Sequence, residues 1–137
     1  MHELTEILQP GQVQKLFAAG FEIVRRPDIQ VTLTVDDAVE AACGVFAVSE
    51  TDLRSASRQK NIARARLVAM AISGKFYSAS HVGRRFDRDH STVISAVNRV
   101  DELMETDAVF EFQVCQVLQR ARERAASRAG LKVVRHG

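Results

Sequence analysis

The residues best suited to recognising another molecule lie on one face of a stretch with helical periodicity that begins near residue 90. That face carries short hydroxyl and amide side chains and one arginine, namely Ser91, Thr92, Ser95, Asn98 and Arg99. Such side chains can reach base edges in the DNA major groove. A solvated surface helix more usually carries Glu and Lys, so the pattern favours recognition of duplex DNA.

The distribution of charge also indicates a polyanionic partner. The 137-residue chain has a net charge of only +2, but residues 53–99 carry +8 and residues 1–52 carry −6. Within the basic block, Arg84, Arg85 and Arg88 precede the candidate recognition helix, where the phosphates of bound DNA would run. The alternative explanation is a solvated basic helix face, which has the same composition.

Residues for catalysis or metal binding follow no recognisable motif. The four histidines and the two cysteines, Cys43 and Cys115, show no zinc-site spacing, and no order of Ser, His and Asp indicates a catalytic triad. The sequence also lacks the Gly-x-x-x-x-Gly-Lys-Ser/Thr loop that cradles nucleotide phosphates. We therefore expect a protein that is not an enzyme and that holds no metal, nucleotide or other cofactor.

The same sequence predicts a cytoplasmic protein. No run approaches the ~18 apolar residues that a membrane span needs, and the first residues show no basic region followed by an apolar one. The two cysteines lack a CxxC partner, which is typical of reduced cytosolic thiols. We expect association with the nucleoid and no membrane partner.

Sparse Gly and Pro residues and long stretches of helical period predict an all-α chain. Helices are predicted over residues 13–24, from Thr34 to residues 44–46, from Ser49 to Arg54, from Ser57 to Ser73, from Ser78 or Ser80 to Phe86, from His90 to Met104, and from Asp107 to Ala129. Gly74 and Gly130 are expected to end two of these helices, and Asp89 is expected to cap the one that begins at His90.

The short helix, the polar turn of residues 87–89 and the helix from His90 together predict a helix-turn-helix. In that motif the second helix presents its N-terminal residues to the bases while the first crosses the backbone. The apolar stripe expected to face the core of the second helix consists of Val93, Ile94, Val97, Val100 and Met104.

Three blocks of sequence resemble a known family. They are residues 61–70 (Asn-Ile-Ala-Arg-Ala-Arg-Leu-Val-Ala-Met), 78–83 (Ser-Ala-Ser-His-Val-Gly) and 86–93 (Phe-Asp-Arg-Asp-His-Ser-Thr-Val). In this order and spacing they resemble the DNA-binding C-terminal domain of the bacterial replication initiator DnaA. The resemblance extends over about residues 34–104 and implies an all-α, Trp-repressor-like helix-turn-helix core.

The resemblance also implies which residues contact DNA. Base contacts in the major groove would fall to Asp89, His90, Ser91 and Thr92, and Arg58 would enter the minor groove. Contacts with phosphate are expected from Lys60, Arg64, Arg66, Arg84, Arg85 and Arg88. The family's two glycines after the phenylalanine are replaced by Asp87 alone, so the turn is shorter. The resemblance therefore implies the family's binding mode but not its target sequence.

Outside this core the chain is expected to form two further parts. Residues 1–33 are predicted to form an N-terminal helix and connector beside the core, residues 34–106 the helix-turn-helix domain, and residues 107–137 a long amphipathic helix with a basic tail. Because no ATPase motif is present, we expect a free-standing copy of the DNA-binding module that acts as a transcriptional regulator or as an antagonist competing for initiator sites. Regulators of phage or mobile-element origin are one place where such a module is expected.

A second hypothesis concerns the last helix, whose apolar residues are too many for one buried stripe. They are Val109, Phe110, Phe112, Val114, Cys115, Val117, Leu118 and Ala121. This surplus predicts either deep burial against residues 13–24 or a homodimer or protein partner bound through residues 109–121. The alternative function is therefore an interaction adaptor or an antagonist of the replication initiator.

Overall fold

The computed structural model describes residues 32–130 and the backbones of two short strands, β1 (Phe21–Ile23) and β2 (Val133–Arg135). Residues 32–130 contain six helices: α1 (Val35–Phe46), α2 (Glu50–Arg54), α3 (Lys60–Phe76), α4 (Ala79–Phe86), α5 (His90–Thr106) and α6 (Ala108–Arg128). The expected all-α class is confirmed. The strands pair antiparallel, with Phe21 opposite Arg135 and Ile23 opposite Val133.

Side chains at the predicted start signals cap the helices. Thr34 and Asp37 form a reciprocal capping box, with Thr34 N donating to Asp37 Oδ2 at 2.9 Å and Asp37 N donating to Thr34 Oγ1 at 3.1 Å. Ser49 and Asp52 repeat the arrangement at the start of α2. These bonds satisfy backbone N–H groups that a helix start leaves without partners, so the predicted starts of α1 and α2 are confirmed.

The core surrounds α3, which packs against α1, α2, α4 and α5, while α6 covers α1. Its largest fully buried side chains include Phe86, Phe110, Leu33 and Leu53. Apolar residues that face inward from α3 are buried, namely Ile62, Ala65, Ala69, Met70 and Ile72. None of the helices within residues 32–130 is long and apolar enough to cross a membrane.

The predicted bounds of α3 were wrong at both ends. The helix begins at Lys60 because the preceding serines form a loop, in which the Ser57 hydroxyl accepts from Gln59 N at 3.2 Å. Gly74 lies inside the helix and does not end it. A Cβ at residue 74 would lie 3.1 Å from Val97 Cγ2 and 3.3 Å from Val93 Cγ1, so the glycine allows close packing of α3 and α5.

The helix predicted over residues 13–24 was wrong at residues 21–23, which form β1. Phe21 and Ile23 alternate with Glu22, a period that suits a strand as well as a helix. Their partner strand lies more than a hundred residues away, so periodicity alone could not reveal the pairing. The rest of the predicted helix, including Val13 and Leu16, lies outside the described residues.

The structure also shows which apolar residues of α5 and α6 are buried. Ile94 was expected to face the core but is 51% exposed, whereas Ala96 takes the buried position between Val93 and Val100. Most of the surplus apolar side chains of α6 are buried in the core, namely Phe110, Val114, Val117, Leu118 and Ala121. Val109 and Phe112 remain 68% and 63% exposed.

Candidate nucleic-acid interface

The turn between α4 and α5 is held by backbone contacts. Arg88 N donates to Gly83 O at 2.8 Å, which brings the turn against the middle of α4. A Cβ on residue 83 would collide with the Arg88 carbonyl oxygen, so only glycine permits this approach. Asp87 adopts a left-handed conformation with φ 58°, which Asp tolerates better than most residues. The three-residue turn thereby fixes the angle at which α5 leaves α4.

The first turn of α5 presents an unbroken polar surface. Asp89, His90, Ser91 and Thr92 are all exposed, while Val93 behind them is buried. Ser91 Oγ donates to Asp89 Oδ2 at 2.6 Å, and His90 Nδ1 lies 3.5 Å from Asp89 Oδ1. The hydrogen bond from Ser91 lowers the pKa of Asp89, so this carboxylate stays ionised and orients both neighbours.

Asp89 occupies the N-cap position of α5, as predicted, but its side chain makes no capping hydrogen bond. The expected capping role of its carboxylate is therefore wrong. The carboxylate is turned toward Ser91 and His90, and Thr92 N donates to the Asp89 carbonyl oxygen at 3.0 Å.

Ile94 extends the exposed face of α5 by one helical turn beyond His90. Ser95, Asn98 and Arg99 are also exposed along the same helix. An exposed isoleucine among short polar side chains suits contact with the methyl group of thymine. The sequence pattern concealed this residue because Ile94 also fits an inward stripe at helical spacing.

Arg58 lies in the exposed loop between α2 and α3, with Lys60 at the first position of α3. The loop is ordered by bonds from α3, since Arg66 Nε donates to Leu53 O at 2.8 Å and Arg66 Nη2 donates to Ser57 O at 3.2 Å. Arg58 therefore follows a stretch of loop backbone that Arg66 holds.

The six basic residues expected at phosphate divide into two groups. Lys60 and Arg84 are exposed and form no ion pair within residues 32–130. The other four already bind protein atoms: Arg64 pairs with Asp107 at 3.1 Å, Arg85 with Asp36 and Glu50 at 3.0 and 2.7 Å, and Arg66 and Arg88 donate to backbone carbonyls. Contact with phosphate stays a prediction for all six.

Arg85 illustrates the second group. Burial lowers the pKa of its guanidinium, but hydrogen bonds and charge from Asp36 and Glu50 outweigh that effect and raise the pKa overall. Arg64 lies with its guanidinium carbon 5.0 Å from the Phe110 ring centroid, so it packs on the start of α6. Both arginines link helices in the structure.

Sequence reasoning missed the burial of a carboxylate at the start of α1. Asp37 is 0% exposed and accepts from Arg124 Nε at 3.1 Å and from Arg128 Nη1 and Nη2 at 2.7 and 2.8 Å. Burial raises the pKa of Asp37, but the hydrogen bonds from Arg128, Thr34 and Arg124 outweigh it and lower the pKa overall. This contact joins the start of α1 to the end of α6.

No group of three or more His, Cys, Asp or Glu side chains in the described part of the chain could hold a metal ion. A cleft with a volume of about 780 Å³ lies between α1 and α6, open to solvent beside Phe112, Gln116 and Arg120. Its lining also includes Glu40 on α1 and Glu123 on α6.

The comparison with known proteins agrees with this geometry. Residues 35–100 match the family described as the bacterial dnaA protein helix-turn-helix. Residues 35–100 are a DnaA-type helix-turn-helix domain. The match spans α1 to α5 up to Val100, and therefore includes the loop of Arg58, the turn and the exposed first turn of α5. The resemblance predicted from the three sequence blocks is confirmed.

Full-length relatives of the DnaA-type domain are chromosomal replication initiators. The DnaA protein of Gluconobacter oxydans (strain 621H) is 46% identical over 76 residues, which are 53% of this chain and 16% of that protein. DnaA of Caulobacter sp. (strain K31) is 30% identical over 116 residues, or 80% of this chain and 24% of that protein. DnaA 2 of Chlamydia trachomatis serovar D is 34% identical over 95 residues, which are 68% of this chain and 21% of that protein. The chain thus spans less than a quarter of the length of these relatives.

Proposed function

We propose that this protein binds double-stranded DNA in a sequence-specific manner through its DnaA-type domain. The observation that carries the proposal is the first turn of α5, where Asp89, His90, Ser91 and Thr92 are all exposed although Val93 and Ala96 anchor the same helix in the core. A helix held in this way presents its N-terminal side chains to the major groove. The family match supports DNA binding by the same segment.

Each exposed side chain offers a definite chemistry to a base pair. Thr92 provides a hydroxyl and a methyl group, His90 a ring nitrogen and Ser91 a second hydroxyl, while Asp89 can accept from a cytosine amino group. Ile94 adds an apolar contact one turn further along α5. These contacts would read the central base pairs of the site, and each good contact contributes about 1–3 kcal/mol of discrimination.

Outside the major groove we assign two roles to basic residues. Arg58 would enter the minor groove, because it projects from the loop before α3 and is exposed. Lys60 and Arg84, which are exposed and make no ion pair within the described residues, are the best candidates for phosphate. Arg64, Arg66, Arg85 and Arg88 would need to exchange their protein partners to do the same.

The biological role we propose is regulation of transcription. The alternative is an adaptor or an antagonist of the replication initiator. The exposed side chains of Val109 and Phe112 favour it, because they form an apolar spot that follows the C-terminal end of α5, whereas the proposed base contacts are at its N-terminal end. A reporter gene placed behind the selected binding site distinguishes these roles. A transcriptional regulator changes reporter expression, whereas an antagonist competes with the initiator for its sites and leaves the reporter unchanged.

Selection of bound DNA from a random duplex pool tests the proposal directly. We expect enrichment of one sequence, bound 10³-fold or more above random DNA, which is roughly the lower end for specific complexes. The matched control is the same selection with the His90→Ala, Thr92→Ala variant, whose preference for the selected sequence should be roughly 10²-fold lower. Retention on heparin without enrichment would show non-specific polyanion binding and would contradict the proposal.

A further inference from the structure

The Ser55 carbonyl oxygen accepts hydrogen bonds from two arginines on different elements. Arg66 Nη2, from α3, donates to it at 2.9 Å, and Arg88 Nη2, from the turn before α5, donates to it at 2.7 Å. Residue 88 is 33 positions from Ser55 in the chain, so this bond is tertiary and not a local turn. One backbone oxygen therefore joins the loop of Arg58 to the turn that starts the recognition helix.

Arg66 is built into the loop by further bonds. Its guanidinium also donates to Leu53 O at 2.8 Å, to Asp52 O at 3.3 Å and to Ser57 O at 3.2 Å. These carbonyls follow the backbone from α2 to the residue before Arg58. An arginine has five N–H donors in a rigid fork, whereas lysine has a single ammonium group and cannot span this set.

Arg88 holds the turn before α5. Its Nη1 donates to Phe86 O at 3.1 Å and to Asp87 O at 3.4 Å, so the same guanidinium holds its own turn while Nη2 reaches Ser55. Two guanidinium groups that share an acceptor repel each other. Burial and the charge of Arg88 accordingly lower the pKa of Arg66.

We propose that Arg66 and Arg88 are positioning residues that set the distance between Arg58 and the first turn of α5, so that the protein accepts only one spacing between the minor-groove and major-groove parts of its site. The inference rests on the proposed function, since it assumes that Arg58 and α5 both contact DNA. In this proposal Arg66 holds the loop and Arg88 holds the turn, and neither of them contacts phosphate.

The experiment uses the full chain and duplexes that carry the selected site with zero, one or two base pairs added or removed between its flanking A·T-rich part and its core. Each added pair moves the flank by about 3.4 Å and rotates it by roughly a tenth of a turn. We expect the wild-type protein to prefer the natural spacing roughly tenfold or more, a loss equal to one or two base contacts.

The decisive variants keep the positive charge but replace the forked guanidinium group of arginine with a single ammonium group. Arg66→Lys should lower the spacing preference to about threefold or less, while affinity for random DNA and the slope of log K against log salt stay as in the wild type, because the number of cations is unchanged. Arg88→Lys should have the same effect, and the double variant should add little to either single change. Arg120→Lys, on α6, is the matched control and should retain the full preference.

The outcomes separate the inference from the function on which it rests. A wild-type protein without preference for any selected sequence refutes the proposed function. A wild-type protein that binds specifically but accepts all spacings, or an Arg66→Lys variant that keeps the full spacing preference, refutes the positioning role alone. Circular dichroism at the binding temperature identifies a variant that has unfolded; if Arg66→Lys has done so, Arg88→Lys decides the result.

Discussion

At the scale of single residues, His90 and Thr92 are the side chains most easily separated from folding. Both are exposed at the start of α5 and neither contributes to the buried stripe. The change His90→Ala, Thr92→Ala should weaken specific binding roughly 10²-fold or more, because it removes contacts worth about 1–3 kcal/mol each. Titration of cognate and random duplexes by fluorescence anisotropy measures the loss.

The same variant should keep most of its affinity for random DNA and nearly the wild-type melting temperature, since neither side chain is buried. Ser80→Ala, an exposed polar residue on α4, serves as the control for general surface changes. If the double variant still selects the original site with full preference, recognition resides elsewhere on α5.

Arg58 leads to a prediction about the flank of the site. The minor groove distinguishes mainly A·T from G·C, and an arginine is favoured where A·T-rich sequence narrows it. Arg58→Ala should therefore relax the preference for A·T at the flanking positions and leave the preference within the α5 footprint intact. Selection of bound DNA by the variant gives both preferences in one experiment, and an unchanged flank would contradict the minor-groove assignment.

Some side-chain contacts could be predicted from the sequence and others could not. The caps at Thr34, Ser49 and Ser78 were predictable because each is a local bond between residues three apart. The contacts of Arg66 and the exposure of Ile94 were not, because basic character and helical spacing do not say which neighbour a side chain meets. The partners of Arg66 lie 9 to 14 residues away along the chain.

At the scale of elements, α1 and α6 are joined by the buried carboxylate of Asp37, which Arg124 and Arg128 contact. Asp37→Asn should destabilise the fold by about 2–4 kcal/mol at pH 7, because it removes one partner of a buried charged contact. Chemical denaturation measures the free energy of unfolding. Asp36→Asn is the control: Asp36 is exposed in the same helical turn, where an ion pair contributes only about 0–1 kcal/mol.

The effect of Asp37 should depend on pH with a definite sign. The pKa of Asp37 is lower in the folded state than in the unfolded state. The stabilisation that the Asp37 carboxylate gives to the fold is therefore fully present at pH values above the unfolded-state pKa, about 3.9. It is lost as the pH falls through the lower folded-state pKa. The difference in unfolding free energy between wild type and Asp37→Asn should stay constant from pH 7 to about 5 and shrink below about 4. A difference that grows on acidification would contradict the assignment.

Element types were predicted more securely than element ends. The order of helices from α1 to α6 follows from their periodicity and caps, but the end of α3 depends on packing. Gly74, ordinarily a stop signal, is retained inside α3 because Val93 and Val97 of α5 approach it closely. The strand β1 depends on a partner at the other end of the chain, which no local pattern specifies.

At the scale of the whole molecule, the two candidate surfaces lie at opposite ends of one helix. The exposed first turn is at His90, whereas α5 ends at Thr106, just before Val109. A helix of this length spans about 25 Å. A partner bound at Val109 and Phe112 would therefore leave the proposed DNA-binding residues uncovered, so the two functions considered for this chain are compatible.

The remaining prediction concerns a homodimer. Since most of the apolar surplus of α6 is buried, only Val109 and Phe112 are left as large exposed apolar side chains on this helix. Two side chains cover far less than the ~1,200 Å² that a stable interface buries in total. We therefore expect light scattering to give a monomer of 15.2 kDa for the free protein, with pairing only between copies bound to adjacent half-sites, about 10–10.5 base pairs or a multiple of that apart.

On such paired sites binding should be cooperative, and Phe112→Ser should reduce the cooperativity about tenfold while affinity for a single half-site stays unchanged, since α5 is unaltered. The helix should tolerate the change because the Phe112 side chain is 63% exposed. Glu105→Ser, an exposed residue at the end of α5, is the control. Cooperativity that survives Phe112→Ser, or a particle of one chain on paired sites, would exclude the dimer and leave burial as the reason for the apolar residues of α6.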